Sequence, residues 1–228
     1  MIGIIGAMKS EVEALQQQME QVKVSTISGV DFYHGFLQGK EVVVAQCGVG
    51  KVFAAICAQT MILTYHPDCV INTGVAGGLT TDLAVGDVTV ATTLVQHDMD
   101  TSPLGDPVGL ISGINLVHFP ADETVSHNLA KAATAVGCAV KRGTIVSGDQ
   151  FISAPEHKAK LQKDFDAVAC EMEGASIAHV CYVNQVPFAV LRAISDSASG
   201  DGAMEFTEFV QLAADRSTAT ISQFCKEA

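Results

Sequence analysis

The sequence has few cations and few large aromatic rings. None of its 228 residues is tryptophan, three are tyrosine, and 13 lysines and arginines stand against 25 aspartates and glutamates. Binding to nucleic acid or to an anionic membrane surface requires a basic patch. A formal net charge of −12 argues against such a patch. We therefore expect neither nucleic acid nor membrane as a partner.

Membrane spans, disulfide frameworks and linkers are also missing. No apolar run reaches the roughly 18 residues of a membrane span. The seven cysteines form no C-x-x-C pair, their number is odd, and most lie in apolar runs. This favours reduced, buried thiols in a cytoplasmic protein. The six prolines are dispersed, and no Gly/Ser-rich linker or clear repeat divides the chain. We expect a single domain over residues 1–228.

Apolar runs of strand length alternate with helical stretches along the chain. The pattern predicts strands at 2–6, 31–37, 41–47, 69–73, 85–94, 141–146, 166–170 and 188–194. It predicts a first helix capped by Ser10, and further helices at 52–65, 122–136, 155–165, 174–184 and 206–226. Nearly continuous apolar strands are typical of a sheet covered on both faces. The fold class is therefore α/β, a three-layer α/β/α domain, and the early hairpin predicts that its central sheet is mixed.

Small or acidic residues gather where the predicted strands end. The five segments are 6–8, 74–78, 147–151, 171–173 and 195–196. Ligands of α/β proteins bind at the carboxyl ends of strands. The glycine turn at 74–78 matches neither a dinucleotide fingerprint nor a phosphate-binding loop. Together the segments predict a site rich in acids, glycines and apolar groups.

One of only three arginines, Arg192, lies within a predicted strand. A buried arginine must be paired, and Glu171 or Glu173 is the expected partner. A purely structural ion pair is the alternative. The segment 97–100, His-Asp-Met-Asp, has no second histidine cluster at ligand spacing, so we expect no metal and interpret its two aspartates as ordering a loop.

Seven segments in order resemble the 5′-methylthioadenosine/S-adenosylhomocysteine nucleosidases of the purine nucleoside phosphorylase superfamily. They are IGIIGAM at 2–8 with Glu11, GVGKV at 48–52, NTGVAGG at 72–78, HDMD at 97–100, SGDQFI at 147–152, EMEGA at 171–175 and RAISD at 192–196. The resemblance implies a nucleoside phosphorylase-like fold, a homodimer and no cofactor. It also implies hydrolysis of the N-glycosidic bond of 5′-thio-substituted adenosines, in purine and methionine salvage.

The resemblance assigns roles to matching positions. Glu11 is the group that activates water, Asp196 protonates adenine N7, Glu173 and Met172 contact ribose, and Arg192 supports the site. Cleavage through an oxocarbenium-like transition state needs an acid and a base on opposite sides of the sugar, which Glu11 and Asp196 fit. We expect apolar surroundings at Asp196 and a supporting rather than ribose-binding role for Glu171.

Further substrate contacts are implied by the same resemblance. They are stacking by Phe151, backbone hydrogen bonds from Ile152, contacts at Ala76, Gly77 and Ser195, apolar walls at Met8 and Phe206, and Leu104 in a loop at 101–107. That loop is implied to reach the 5′ pocket of a neighbouring subunit. The family more often has serine at the position of Val75 and phenylalanine at that of Leu104. Both departures affect the 5′ group rather than the reaction.

Three other functions remain open. One is hydrolysis of 6-amino-6-deoxyfutalosine in menaquinone synthesis. A phosphorylase on the same fold is another, although it would need cations to hold phosphate. The third is nucleoside binding without turnover, which would not need three converging acids.

Overall fold

The computed structural model describes residues 1–200 and 202–227, which form a mixed sheet between two layers of helices. The strands are β1 (Ile2–Gly6), β2 (Glu20–Ile27), β3 (Val30–Leu37), β4 (Lys40–Gln46), β5 (Cys69–Gly78), β6 (Val88–Gln96), β7 (Phe119–Pro120), β8 (Val140–Ser147), β9 (Ala167–Glu171) and β10 (Phe188–Asp196). The helices are α1 (Lys9–Gln18), α2 (Lys51–Tyr65), α3 (Glu123–Ala135), α4 (Pro155–Phe165), α5 (Gly174–Asn184) and α6 (Gly202–Glu227).

The two larger of three apolar clusters lie on opposite faces of the sheet. One contains the buried sides of α2 and α5, and the other contains those of α1, α3 and α6. Buried strands such as β10, in which every residue is buried, therefore carry apolar side chains on both faces. The predicted three-layer α/β/α arrangement around a mixed sheet is confirmed.

Strand β5 is the branch point of the sheet. Its first half pairs in parallel with β1, while residues 70–77 pair in parallel with β10. Its last two residues, Gly77 and Gly78, turn to pair antiparallel with β9. Since β10 also pairs with β6, and β6 connects through β8 to β9, five strands close into a ring. The ends of β5, β9 and β10 therefore converge.

Several local features differ from the prediction. β2 was not predicted, because it is an edge strand whose side chains are almost all exposed and so has no burial pattern. The strand predicted at 85–94 begins at Val88 instead. Ser10 is not the cap of α1, since the cap position is Met8, whose N–H donates to Glu11. The Glu11 carboxylate, at the third helical position, accepts from the N–H groups of Ala7 and Met8, as the glutamate of a capping box does.

The searched helices, all within the described residues, include none that is long and apolar enough to cross a membrane.

Candidate active site

A cavity of about 370 Å³ lies where the strand ends converge. Its walls are mostly apolar side chains and small residues, interrupted by a few acids, as in many small-molecule sites. The predicted site residues that line it are Met8, Glu11, Ala76, Gly77, Phe151, Ile152, Met172, Glu173, Ser195, Asp196 and Phe206. The structure therefore brings eleven of the thirteen predicted site residues to one cavity.

Glu11 is held by backbone N–H groups from two segments. Its Oε2 accepts hydrogen bonds from Ala7 at 2.7 Å and Met8 at 2.8 Å, and its Oε1 accepts one from Val75 at 3.0 Å. The side chain is buried, and burial raises the pKa of this carboxyl although Arg192 and the three N–H groups lower it. A carboxylate with a raised pKa is a stronger base toward water, which suits the role predicted for it.

Arg192 lies behind the cavity wall and joins three carboxylates. Its guanidinium bonds Glu171, lies 3.6 Å from Glu173 Oε2 and 3.9 Å from Glu11 Oε1, and donates to Asn72 at 2.5 Å. Burial lowers the pKa of Arg192, but the three carboxylates together raise it above its ordinary value. The predicted pairing with Glu171 is confirmed, and the arginine fixes the acids from beneath rather than facing the cavity.

The two glutamates at 171 and 173 differ in their contacts. Glu171 accepts from the N–H groups of Glu173 and Gly174 and from the Ser147 hydroxyl, so its oxygens are fully engaged. Glu173 Oε1 accepts a single backbone hydrogen bond, from Gly50 at 2.8 Å. The supporting contacts expected of Glu171 are thus present, and Glu173 is the carboxylate with free capacity toward a ligand.

Gly74 is required where Glu11 meets Arg192. A Cβ added there would lie 2.3 Å from both Arg192 Nη1 and Glu11 Oε1. Any side chain would therefore separate the acid from its cation. The glycine turn, which by sequence could have been an ordinary tight turn, here makes room for charged groups to approach the backbone.

Burial and the like charge of Glu171 raise the pKa of Glu173 from 4.5 to about 7. Between these two values the folded protein binds a proton that the unfolded chain has lost, so this group makes stability fall as pH rises. We expect Glu173→Gln to flatten that fall, by at most about 1.4 kcal/mol per pH unit. Urea unfolding at intervals from pH 4.5 to 7.5 measures the slope.

Glu13→Gln, which changes a partly exposed glutamate of α1, is the matched control and should leave the slope as it is. An unchanged slope in Glu173→Gln would show that the proton is held elsewhere in the acid cluster.

Asp196 is paired with a cation that the sequence analysis missed. Lys158 Nζ, on α4, lies 2.6 Å from Asp196 Oδ2, and both side chains are buried. On the other side, the Ser195 hydroxyl donates to Asp196 Oδ1 at 2.8 Å. The expectation of apolar surroundings was therefore wrong. Lys158 shares the buried stripe of α4 with Leu161 and Phe165, and a lysine at a core position of a helix was the available signal.

Two predicted residues lie outside the cavity. Arg192 is beneath it, as described, and Leu104 is 84% exposed on the loop at 101–107, so its role stays a prediction. Val49, Gln150 and Cys170 line the cavity and were not predicted. The 97–100 segment orders a loop as expected: Asp98 pairs with Lys51 at 2.6 Å and accepts from the Asp149 N–H.

Comparison with known proteins decides the family. The family model described as the phosphorylase superfamily matches residues 1–226. The chain belongs to this superfamily. Within it, a 5′-methylthioadenosine/S-adenosylhomocysteine nucleosidase of Shewanella pealeana is 38% identical over 96% of each chain. The predicted relationship to these nucleosidases is confirmed.

Solved structures of superfamily members have the same fold. The nucleosidase of Neisseria meningitidis, in complex with methylthio-immucillin-A, matches with a TM-score of 0.95 and 38% identity, covering 100% of this chain and 99% of that one. A futalosine hydrolase of Helicobacter pylori matches with a TM-score of 0.94 and 36% identity, covering 100% and 97%. The likeness extends over the whole chain, so it includes every wall of the cavity.

Proposed function

We propose that the protein hydrolyses the N-glycosidic bond of 5′-thio-substituted adenosines, releasing adenine and the 5′-substituted ribose. The observation that carries this proposal is the presence of two separately held carboxyl groups at one apolar cavity. Glu11 is fixed by three backbone N–H groups, and Asp196 by a serine and a lysine. A base for water and an acid for the leaving group are what glycosidic hydrolysis requires.

In the proposed reaction, Glu11 removes a proton from the attacking water and Asp196 protonates adenine N7. Glu173 accepts hydrogen bonds from the ribose hydroxyls, and its negative charge stabilises the positive charge that develops on the sugar. Phe151 stacks on the adenine, Ile152 bonds it through the backbone, and Met172 packs on the ribose. The apolar Met8 and Phe206 receive the 5′ substituent.

The direct test is adenine release from a panel of nucleosides. Methylthioadenosine, S-adenosylhomocysteine, 5′-deoxyadenosine and 6-amino-6-deoxyfutalosine are each incubated with the enzyme, with and without phosphate. We expect release from the 5′-thio compounds without phosphate. Release that depends on phosphate or arsenate would establish a phosphorylase, and tight binding without release would establish a binding protein.

One alternative substrate has its own support. Because the futalosine hydrolase of Helicobacter pylori is nearly as similar as the nucleosidases, 6-amino-6-deoxyfutalosine is the second candidate. The phosphorylase alternative is weakened by charge, since the buried cations Lys158 and Arg192 both bond carboxylates. A phosphate ion at the water position would also meet Glu11.

We further propose a homodimer in which the loop at 101–107 completes the neighbour's 5′ pocket. Several large apolar side chains of α2 and α5 are exposed, among them Val52, Phe53 and Val183 at 57–69%. Leu104, in the loop, is exposed still further. Exposed apolar patches of this kind mark interfaces.

Phe53→Asp tests the dimer. A buried, unpaired aspartate in each copy of the interface would oppose association, so we expect a monomer in sedimentation analysis and weaker binding of substrate. Val24→Asp, at an exposed residue of β2, is the matched control and should leave the mass unchanged. A wild-type protein that sediments as a monomer would contradict the proposal.

We also propose that residues 1–228 form a single domain and that the protein is cytoplasmic. One continuous sheet includes all the named strands, and all seven cysteines are free, which suits a reducing compartment.

A further inference from the structure

We propose that Lys158 is a positioning residue for the leaving-group acid, holding the Asp196 carboxyl and stabilising the carboxylate that remains after it gives up its proton. This inference rests on the proposed hydrolysis of adenosine nucleosides. It adds to that function a residue that contacts the acid but does not line the cavity.

Lys158 makes two hydrogen bonds at the carboxyl end of β10. Lys158 Nζ donates to Asp196 Oδ2 at 2.6 Å and to the backbone carbonyl of Ser197 at 2.5 Å. Ser195 donates to the other carboxyl oxygen. The register of β10 against β5 shifts between Ile194 and Asp196, and Asp196 is the last residue of the strand. Lys158 therefore fixes both the side chain and the backbone that follows it.

Stability alone does not explain a charged pair in this place. Lys158 and Asp196 are 1% and 2% exposed, and removing two charges from water costs free energy that an apolar pair of the same volume would not. The neighbouring buried positions of α4 hold Leu161 and Phe165. An apolar residue at 158 would continue their stripe, so the charge of the lysine serves the acid it contacts.

The other ionisable groups around Asp196 leave Lys158 as the cation that contacts it. From β9, Cys170 faces Asp196, and burial raises the pKa of this thiol to about 12, which keeps it neutral. From α6, Glu205 bonds the Ser197 N–H at 2.6 Å. Lys158, from α4, supplies the cation in direct contact with the acid.

The lysine therefore acts on one step of the reaction. When the glycosidic bond breaks, its electron pair moves into the purine, the Asp196 proton bonds to N7, and the O–H electrons stay on the carboxylate. That newly formed negative charge lies next to the ammonium group, which stabilises it.

The test compares two substrates that differ in their need for an acid. Methylthioadenosine needs a protonated leaving group, whereas a 4-nitrophenyl 5-methylthioribofuranoside releases a stable anion without one. We expect Lys158→Met to lower kcat for adenine release by about 10- to 100-fold, part of the 10²–10⁴ typical of a positioned acid. Its KM and its release of 4-nitrophenolate should change little.

Lys158→Arg should restore most of the rate, and Lys160→Met, at an exposed lysine of the same helix, is the matched control. Thermal unfolding checks each variant, and Lys158→Gln replaces the methionine variant if that does not fold. Equal losses on both substrates, or an unchanged rate of adenine release, would overturn the inference while leaving the hydrolase intact. A wild-type enzyme that releases no adenine would overturn both.

Discussion

Asp196→Asn should lose adenine release by about 10²–10⁴-fold, the contribution of a positioned general acid. The amide keeps the shape of the carboxyl and can still accept from Lys158, but it has no acidic proton to give to the purine. Steady-state assays on methylthioadenosine measure the loss. The activated 4-nitrophenyl substrate, which needs no acid, should still be cleaved. Near-normal adenine release would show that Asp196 is not the acid.

The variant also leaves the buried ammonium of Lys158 without its counter-charge, so a loss of stability must be separated from a loss of chemistry. The double variant Asp196→Asn with Lys158→Met removes both charges. It should recover stability against urea without recovering adenine release. If the double variant regained both stability and adenine release, the loss in Asp196→Asn would be due to unfolding and not to the missing acid.

Glu11→Gln should bind substrate and fail to hydrolyse it, with a loss of the same order, about 10²–10⁴-fold. A glutamine cannot take the proton of the attacking water, whereas the adenine and ribose contacts lie on other residues. Equilibrium binding of methylthioadenosine and single-turnover release of adenine measure the two properties separately. Unlike the Asp196 variant, this one should also fail on the activated substrate, because water must still be activated there.

The glutamine places an NH₂ group among three backbone donors, and one of them must lose its acceptor. An unpaired buried donor costs about 1–3 kcal/mol, so Glu11→Gln should be less stable but folded. Val12→Ala, in the same turn of α1, provides a control of reduced stability with the carboxylate intact. Full hydrolysis by Glu11→Gln would mean that water is activated by another group.

Glu171, Glu173 and Asp196 could be predicted from sequence because they lie at the ends of strongly apolar strands, whereas Glu11, in α1, was assigned by the family resemblance. An arginine inside β10 needs a partner, and Glu171 at the end of β9 supplied it. Lys158 was not predicted because lysine is usually exposed, whereas here it lies on the buried side of α4. β2 was missed because an edge strand exposed on both faces has no pattern. The branching of β5 depends on long-range pairing, which local sequence does not specify.

The branching of β5 also makes the two sides of the cavity differ in how readily they unfold locally. Strand β5 is bonded to three neighbours, so the amides of its ladder exchange with solvent only when the surrounding sheet opens as well, and the Val75 amide is held by Glu11. Phe151, by contrast, is half exposed and meets Phe206 edge to face across the cavity. We therefore expect this partly exposed aromatic pair to move more readily than the floor of the cavity that holds the acids.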